Sequence, residues 1–143
     1  MKIGDILRTK GREVATIAES QTVLAAARVL VERNIGSLVV TDGQRPVGIF
    51  TERDILRLTA REPGALESIQ IGGVMTRDVI TADPDDSVAS VMDVMTRNRV
   101  RHVPIMAEGE LAGIVSIGDL VNACRESAES ENSQLRQYIQ GVG

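Results

Sequence analysis

The amino-acid sequence predicts an α+β protein built from two copies of one β-α-β-β-α unit. Three observations support this fold class: an internal repeat, apolar periodicities that switch between strand and helix spacing within each copy, and a connector rich in glycine between the copies. One copy alone cannot bury the apolar face of a three-stranded sheet. We therefore expect the two copies to pack together about a pseudo-two-fold axis.

The repeat aligns residues 14–54 with residues 79–119 at an offset of 65, without a gap. Identities are few, but apolar positions match along the segment. Upstream the offset is 68, because residues 3–7 resemble residues 71–75, so the first copy has three extra residues in the turn at 8–13. We divide the chain into repeat 1 (1–61), a connector with the start of repeat 2 (62–73), the rest of repeat 2 (74–123) and a C-terminal helical tail (124–143).

Each copy is expected to begin with a short helix and to continue as strand, helix, strand, strand and helix. Strand-like runs occupy 14–17, 37–41 and 47–51 in the first copy, and 79–81, 102–106 and 111–116 in the second. Apolar residues three and four positions apart predict the helices that begin at Val23 and Val88, each preceded by residues that can act as N-caps. Residues 61–73, with one proline and three glycines, are the predicted connector.

Composition excludes several classes of protein. The net charge is −4 and Phe50 and Tyr138 are the only aromatic residues, which argues against nucleic-acid binding. The single cysteine, Cys124, rules out a disulfide framework or a cysteine zinc site. We see no secretory signal and no run of 18 apolar residues, so we expect a cytoplasmic protein without membrane contact. All basic residues except Lys2 and Lys10 are arginine, which suits bidentate contact with phosphate or carboxylate.

Each copy ends in one short motif, GIFTERD at 48–54 and GIVSIGD at 113–119. A structural interpretation is a capping box, because a hydroxyl followed three residues later by an acid suits a helix N-terminus. A functional interpretation is a ligand site, in which the carboxylate accepts the two hydroxyls of a ribose while the hydroxyl and free backbone N–H groups hold phosphate. The glycine would then let a base lie close to the backbone. The two interpretations are compatible.

Two β-α-β-β-α copies that each close with this motif resemble a pair of cystathionine-β-synthase (CBS) domains, a Bateman module, from Ile3 to the region of Ala123. The resemblance implies a non-catalytic regulatory module that binds an adenosine-containing ligand in clefts between the repeats and signals to a partner protein. AMP, ADP or ATP is the expected ligand, with NAD(H) or S-adenosylmethionine as alternatives. The resemblance also implies a homodimer. A dimerisation or scaffold module without a ligand is the alternative function.

The resemblance further implies roles for the motif residues. Asp54 and Asp119 would take the ribose hydroxyls of a bound nucleotide, and Thr51 and Ser116 would contact its phosphates. Because the flanking residues differ between the copies, we expect the two sites to be inequivalent.

Residues outside the motif ends complete the expected nucleotide site. By the same resemblance, Thr16 and Thr81 on the first strands would border the adenine. Family members often place basic residues just ahead of the second strand, and Arg101 and His102 stand there in the second copy, whereas the first copy has glycine and serine. Arg53 lies inside the first motif where the second has glycine. For Arg101 a solvated position is the alternative to phosphate contact.

No residue set indicates catalysis. His102 is the only histidine, and no nucleophile with a base and no metal-binding constellation is recognisable, so we expect neither catalytic residues, a catalytic cofactor nor a metal. In the C-terminal tail, Leu135, Tyr138 and Ile139 interrupt polar sequence, which predicts a helical extension that packs on the module or on a second subunit. A frayed tail is the alternative.

Overall fold

The computed structural model describes residues 1–128. The elements in chain order are α1 (Ile3–Lys10), β1 (Thr16–Ala18), α2 (Val23–Arg33), β2 (Ser37–Asp42), β3 (Arg45–Thr51), α3 (Glu52–Arg61), a 3-10 helix (Ile71–Gly73), α4 (Val88–Asn98), β4 (His102–Ala107), β5 (Glu110–Ser116) and α5 (117–128). This α+β architecture of two similar halves confirms the predicted fold class. The helix predicted around Leu135, Tyr138 and Ile139 lies outside the described residues.

The two repeats form separate small sheets. In repeat 1, β1 runs parallel to β2, and β2 pairs with β3 in antiparallel fashion. In repeat 2, β4 and β5 form an antiparallel pair. Each hairpin contains one irregularity of register at the equivalent place, after Val40 and after Ile105. The strand pairs that carry the two motifs therefore have the same geometry.

The strand predicted at 79–81 was wrong. Repeat 2 has instead an isolated parallel bridge between Ala82 and Ile105. Directly after this bridge, Asp83 N–H donates to Asp86 Oδ2 at 2.9 Å, and Pro84 has no N–H to donate. The turn at 83–86 therefore ends the pairing after one residue, and repeat 2 lacks a full third strand.

Side-chain caps and left-handed residues bound the long helices. Thr22 and Ser87 each cap a helix, with the side-chain oxygen accepting at 3.1 Å from the backbone N–H three residues later. The helices end at Asn34 and Arg99, which adopt positive φ values of 52° and 55°. Asparagine is commonly found in this conformation, whereas arginine is seldom found there.

The N-terminal segment of each repeat packs in the apolar core of the other repeat. Ile3 and Leu7 of α1 are buried among the side chains of repeat 2, beside Val103. Conversely Ile71 and Met75, which begin the second copy in sequence, are buried in the core of repeat 1. Each core is therefore completed by the other copy, and the exchange brings each N-terminal segment next to the other repeat's motif. No helix in the described part of the chain is long and apolar enough to span a membrane.

Candidate functional site

Both motifs form the predicted capping box. In repeat 1, the N–H and Oγ1 of Thr51 both donate to Asp54 Oδ2, at 2.8 and 3.2 Å. In repeat 2, Ser116 N–H donates to Asp119 Oδ2 at 2.8 Å, and Asp119 N–H donates to Ser116 Oγ at 3.1 Å. Within residues 1–128, no donor reaches Oδ1 of either aspartate. The cap thus leaves one carboxylate oxygen of each motif available to another partner.

The motif glycines are explained by packing of the exchanged segments. A Cβ on Gly48 would lie 2.6 Å from Met75 Sδ and 2.8 Å from the carbonyl oxygen of Thr76. A Cβ on Gly113 would lie 2.7 Å from a methyl group of Leu7. The expectation that these glycines leave room for a base was therefore wrong, because protein atoms already fill the space above them.

A cleft of about 450 Å³ lies between the repeats, and we call it the central cleft. Its walls come from the start of α3 in repeat 1 and from the segments before β4 and after β5 in repeat 2. Six of the residues predicted from the sequence line it: Thr51, Arg53, Asp54, Arg101, His102 and Ser116. Residues more than 40 positions apart in sequence therefore line the same cleft, as expected when two repeats pack about a pseudo-two-fold axis.

The central cleft is rich in cations. Arg53, Arg57, Arg99 and Arg101 all line it, together with the acids Asp54 and Glu52. Among the described residues, none of these four arginines forms an ion pair with a carboxylate. A guanidinium without a protein partner keeps its planar set of donors available for an anionic ligand.

His102 reaches across the boundary between the repeats. Gly36 of repeat 1 leaves room for it, since a Cβ there would lie 3.3 Å from His102 Nε2. Burial lowers the pKa of His102 below its ordinary value of 6.5; Glu52 opposes this effect, while Lys10 and Arg101 add to it. The ring is therefore neutral at pH 7 and contributes a hydrogen-bonding group rather than a charge.

Asp119 borders a different cleft, of about 570 Å³, which we call the Asp119 cleft. Here Lys10 Nζ lies 2.6 Å from Asp119 Oδ2 and donates to the carbonyl oxygen of Ile114 at 2.8 Å. Burial alone would raise the pKa of Asp119, but the hydrogen bonds from Lys10 and from Ser116 outweigh it and lower the pKa below 3.8. Asp119 thus already has a cationic partner within the chain.

Two of the predicted residues are not among those that line the two clefts. Thr16 is exposed in β1, where it pairs with Val39, and Thr81 is exposed just before the bridge at Ala82. Neither lines the central cleft or the Asp119 cleft. Their role beside an adenine stays a prediction.

The structure also adds residues that were not among the predicted site residues. Arg57 follows Arg53 by four positions on α3 and so lies on the same helix face, a spacing that was visible in the sequence. Arg99 reaches the cleft from the left-handed end of α4. Lys10 gave no sequence signal, because its partner is 109 residues away.

Comparisons with known proteins agree with this architecture. The family model described as CBS domain matches residues 3–61 and 71–126. A mitochondrial CBS domain-containing protein of Arabidopsis thaliana, CBSX3, is 34% identical over 97% of this chain and 72% of its own length. A crystal structure of a CBS-domain protein from Agrobacterium tumefaciens is 38% identical with a TM-score of 0.84, and the match covers 86% of this chain and 98% of that one.

A further solved structure contains ligands. It is the CBS domain pair of protein MJ0100 in complex with 5′-methylthioadenosine and S-adenosyl-L-methionine, with 29% identity and a TM-score of 0.78. The match covers 89% of this chain and 98% of that one. The chain belongs to the CBS domain family, whose paired domains are regulatory.

Proposed function

We propose that the protein is a non-catalytic regulatory module that binds an adenosine phosphate in the central cleft and signals the bound state to a partner protein. The observation that carries this proposal is the combination of Asp54, whose Oδ1 meets no donor within residues 1–128, with four arginines that have no carboxylate partner there. The carboxylate suits a ribose diol, and the guanidinium groups suit phosphate.

The charge of the central cleft selects among adenosine ligands. Four guanidinium groups against two carboxylates leave a surplus of positive charge on its walls. This surplus favours AMP, ADP and ATP, and it also suits the two phosphates of NAD(H). S-adenosylmethionine carries a cationic sulfonium and no phosphate, so it should bind most weakly. The cleft volume, about 450 Å³, lies within the range common for small-molecule sites.

A thermal-shift titration tests the proposal. ATP, ADP and AMP should raise the melting temperature, because a ligand that binds only the folded state stabilises it by linkage. The matched control is 2′-deoxy-ATP, which has the same base and phosphates but lacks one hydroxyl of the diol, and it should shift the temperature less. GTP and S-adenosylmethionine should also shift it less. If no adenosine phosphate produces a shift at millimolar concentration, the scaffold function replaces the sensor.

Cellular location is part of the same proposal. We place the protein in the cytoplasm on the grounds of its sequence, although the Arabidopsis relative is named as mitochondrial. Fractionation of cells that express a tagged chain would decide between these compartments.

We also propose that the module forms a homodimer. Within residues 1–128, three large apolar side chains on helices are exposed: Val31 at 80%, Leu56 at 69% and Val121 at 41%. Burial against a second copy would remove this apolar surface from water, and a closed two-fold pair would bury the same residues of both copies. Sedimentation equilibrium at micromolar concentration should give the dimer mass. A monomer throughout that range would contradict the homodimer and would also weaken the scaffold alternative.

A further inference from the structure

The ammonium group of Lys10 makes a hydrogen bond in repeat 2 that a backbone N–H makes in repeat 1. In repeat 1, the carbonyl oxygen of Ile49 accepts from Thr76 N–H at 3.0 Å. The equivalent carbonyl in repeat 2, Ile114, accepts instead from Lys10 Nζ at 2.8 Å. The ammonium group therefore lies between this carbonyl and Asp119, and both contacts hold it in place. Helix α1 continues to Lys10, whereas the corresponding segment of repeat 2 is helical only over Ile71–Gly73, after which Thr76 pairs with Ile49 through the backbone.

The surroundings of the two motif aspartates carry opposite charge. On the helix that follows Asp54, the positions one and two turns along are Arg57 and Arg61. The equivalent positions after Asp119 are Asn122 and Glu126. Asp5 also lines the Asp119 cleft. The cleft therefore contains more acidic side chains (Asp5, Asp119 and Glu126) than lysine side chains (Lys10). A phosphate there would meet carboxylates, and the ammonium group of Lys10 is already paired with Asp119.

We propose that Lys10 is an internal latch that occupies the carboxylate of Asp119 and makes the Asp119 cleft the weaker nucleotide site. A ribose diol that uses both oxygens of Asp119 competes with the ammonium group at Oδ2, and the ion pair also weakens the negative charge available at Oδ1, whereas Asp54 has no cationic partner among the described residues. The inference rests on the proposed function, because it concerns which of two equivalent carboxylates takes the nucleotide. The side chains of Lys10 and Asp119 are 35% and 28% exposed, so the pair is partly shielded from water.

The geometry also explains why the latch can be removed without loss of the fold. Lys10 is the last residue of α1, and the helix ends at Gly11, whose N–H bonds to the carbonyl oxygen of Leu7 at 2.8 Å. The buried residues of α1 are Ile3, Ile6 and Leu7, so Lys10 contributes nothing to the apolar core. Lys10→Met keeps an unbranched apolar stem of similar length and removes the ammonium group. Lys2→Met is the matched control, because Lys2 is the other lysine of the chain and, among the described residues, its ammonium group forms an ion pair only with exposed Asp85, at 3.7 Å.

Calorimetric titration with adenosine, which has the ribose diol but no phosphate, tests the latch. Lys10→Met should bind adenosine about tenfold more tightly than the wild type, because no ammonium group then competes for Asp119. Lys2→Met should match the wild type. A parallel titration of the wild type with ATP tests the proposed function by itself. If the wild type binds ATP but Lys10→Met binds adenosine no more tightly than the wild type does, the latch is overturned while the proposed function stands. If the wild type releases no heat with ATP, the proposed function fails and the latch fails with it.

A measurement without ligand supplies an independent check. The carboxyl carbon of Asp119 can be followed by NMR during an acid titration, and its midpoint should rise in Lys10→Met but not in Lys2→Met, because the variant loses the hydrogen bond from Lys10. An Asp119 midpoint that is the same in wild type and Lys10→Met would show that the ion pair does not form in solution and would overturn the latch.

Discussion

Asp54 and Asp119 hold equivalent positions in the two repeats, but the clefts that they border differ in chemical character. Both start at a capping box with the same hydrogen-bond distance, 2.8 Å, from the backbone N–H to the aspartate. Around Asp54 the walls carry arginines without carboxylate partners in the described chain, whereas Asp119 is paired with Lys10 and stands near further acids. A helix start needs only a hydroxyl and an acid, so the repeat keeps those positions. The proposed difference in ligand binding rests on neighbours that the repeat does not share.

The largest expected effect comes from neutralising the two aspartates separately. Asp54→Asn keeps an oxygen that can accept the cap bond from Thr51 but removes the charge that would hold a ribose diol. We expect it to weaken ATP binding about tenfold or more, since a hydrogen bond to a charged group contributes about 1.5–3 kcal/mol. Asp119→Asn should leave the dominant affinity within about twofold. Calorimetry on both variants measures the difference, and equal losses would show that the two clefts are equivalent.

The ends of α2 and α4 provide a second comparison. Asn34 and Arg99 occupy the same left-handed position, with φ of 52° and 55°, but arginine is the less suited to it. We expect Arg99→Asn to raise the free energy of unfolding by about 0.5–1 kcal/mol and to weaken ATP binding, because it removes a cation from the central cleft. The reciprocal variant, Asn34→Arg, should lower stability by a similar amount.

Urea unfolding and ATP titration of these two variants decide the matter together. If Arg99→Asn is more stable than the wild type but binds ATP more weakly, Arg99 contributes to ligand binding and lowers the stability of the fold. If Arg99→Asn binds ATP as tightly as the wild type, Arg99 is merely a solvated helix end.

The smallest expected effect is a change in how stability depends on pH. It concerns His102, which begins β4, in comparison with Ser37, which begins β2 at the equivalent position of repeat 1. Burial holds the pKa of His102 below 6.5 in the folded protein. As the pH falls, His102 of the unfolded chain therefore takes up a proton before His102 of the folded protein does. The stability that comes from a neutral His102 is fully present above pH 6.5 and is lost as the pH falls through the folded pKa. His102→Ser should remove this loss. Urea unfolding between pH 7.5 and 5 should show a shallower decline in the variant, and parallel curves would contradict the assignment.

Much of the fold and part of the site could be predicted from the sequence. The offset of 65 predicted paired halves, and the motif spacing predicted the capping boxes at Thr51 and Ser116. The prediction of a strand at 79–81 was wrong, because it considered strand propensity but not the turn that follows. In that turn, Pro84 and the aspartates stop the pairing. Local patterns thus predicted elements well where no competing turn intervened.

The sequence by itself determined the features that depend on neighbours a few residues apart: the periodicity of each helix, its caps and the position of each motif at a helix start. Only the tertiary structure decided which distant groups meet. The exchange of N-terminal segments places Leu7 over Gly113 and Met75 over Gly48, and the same exchange carries Lys10 to Asp119. The physical reason is that helix and turn preferences act along a short stretch of chain, whereas burial and charge pairing act through space. Nothing in the local pattern around Asp119 encodes a cation 109 residues away, and that contact is what distinguishes its cleft from the one beside Asp54.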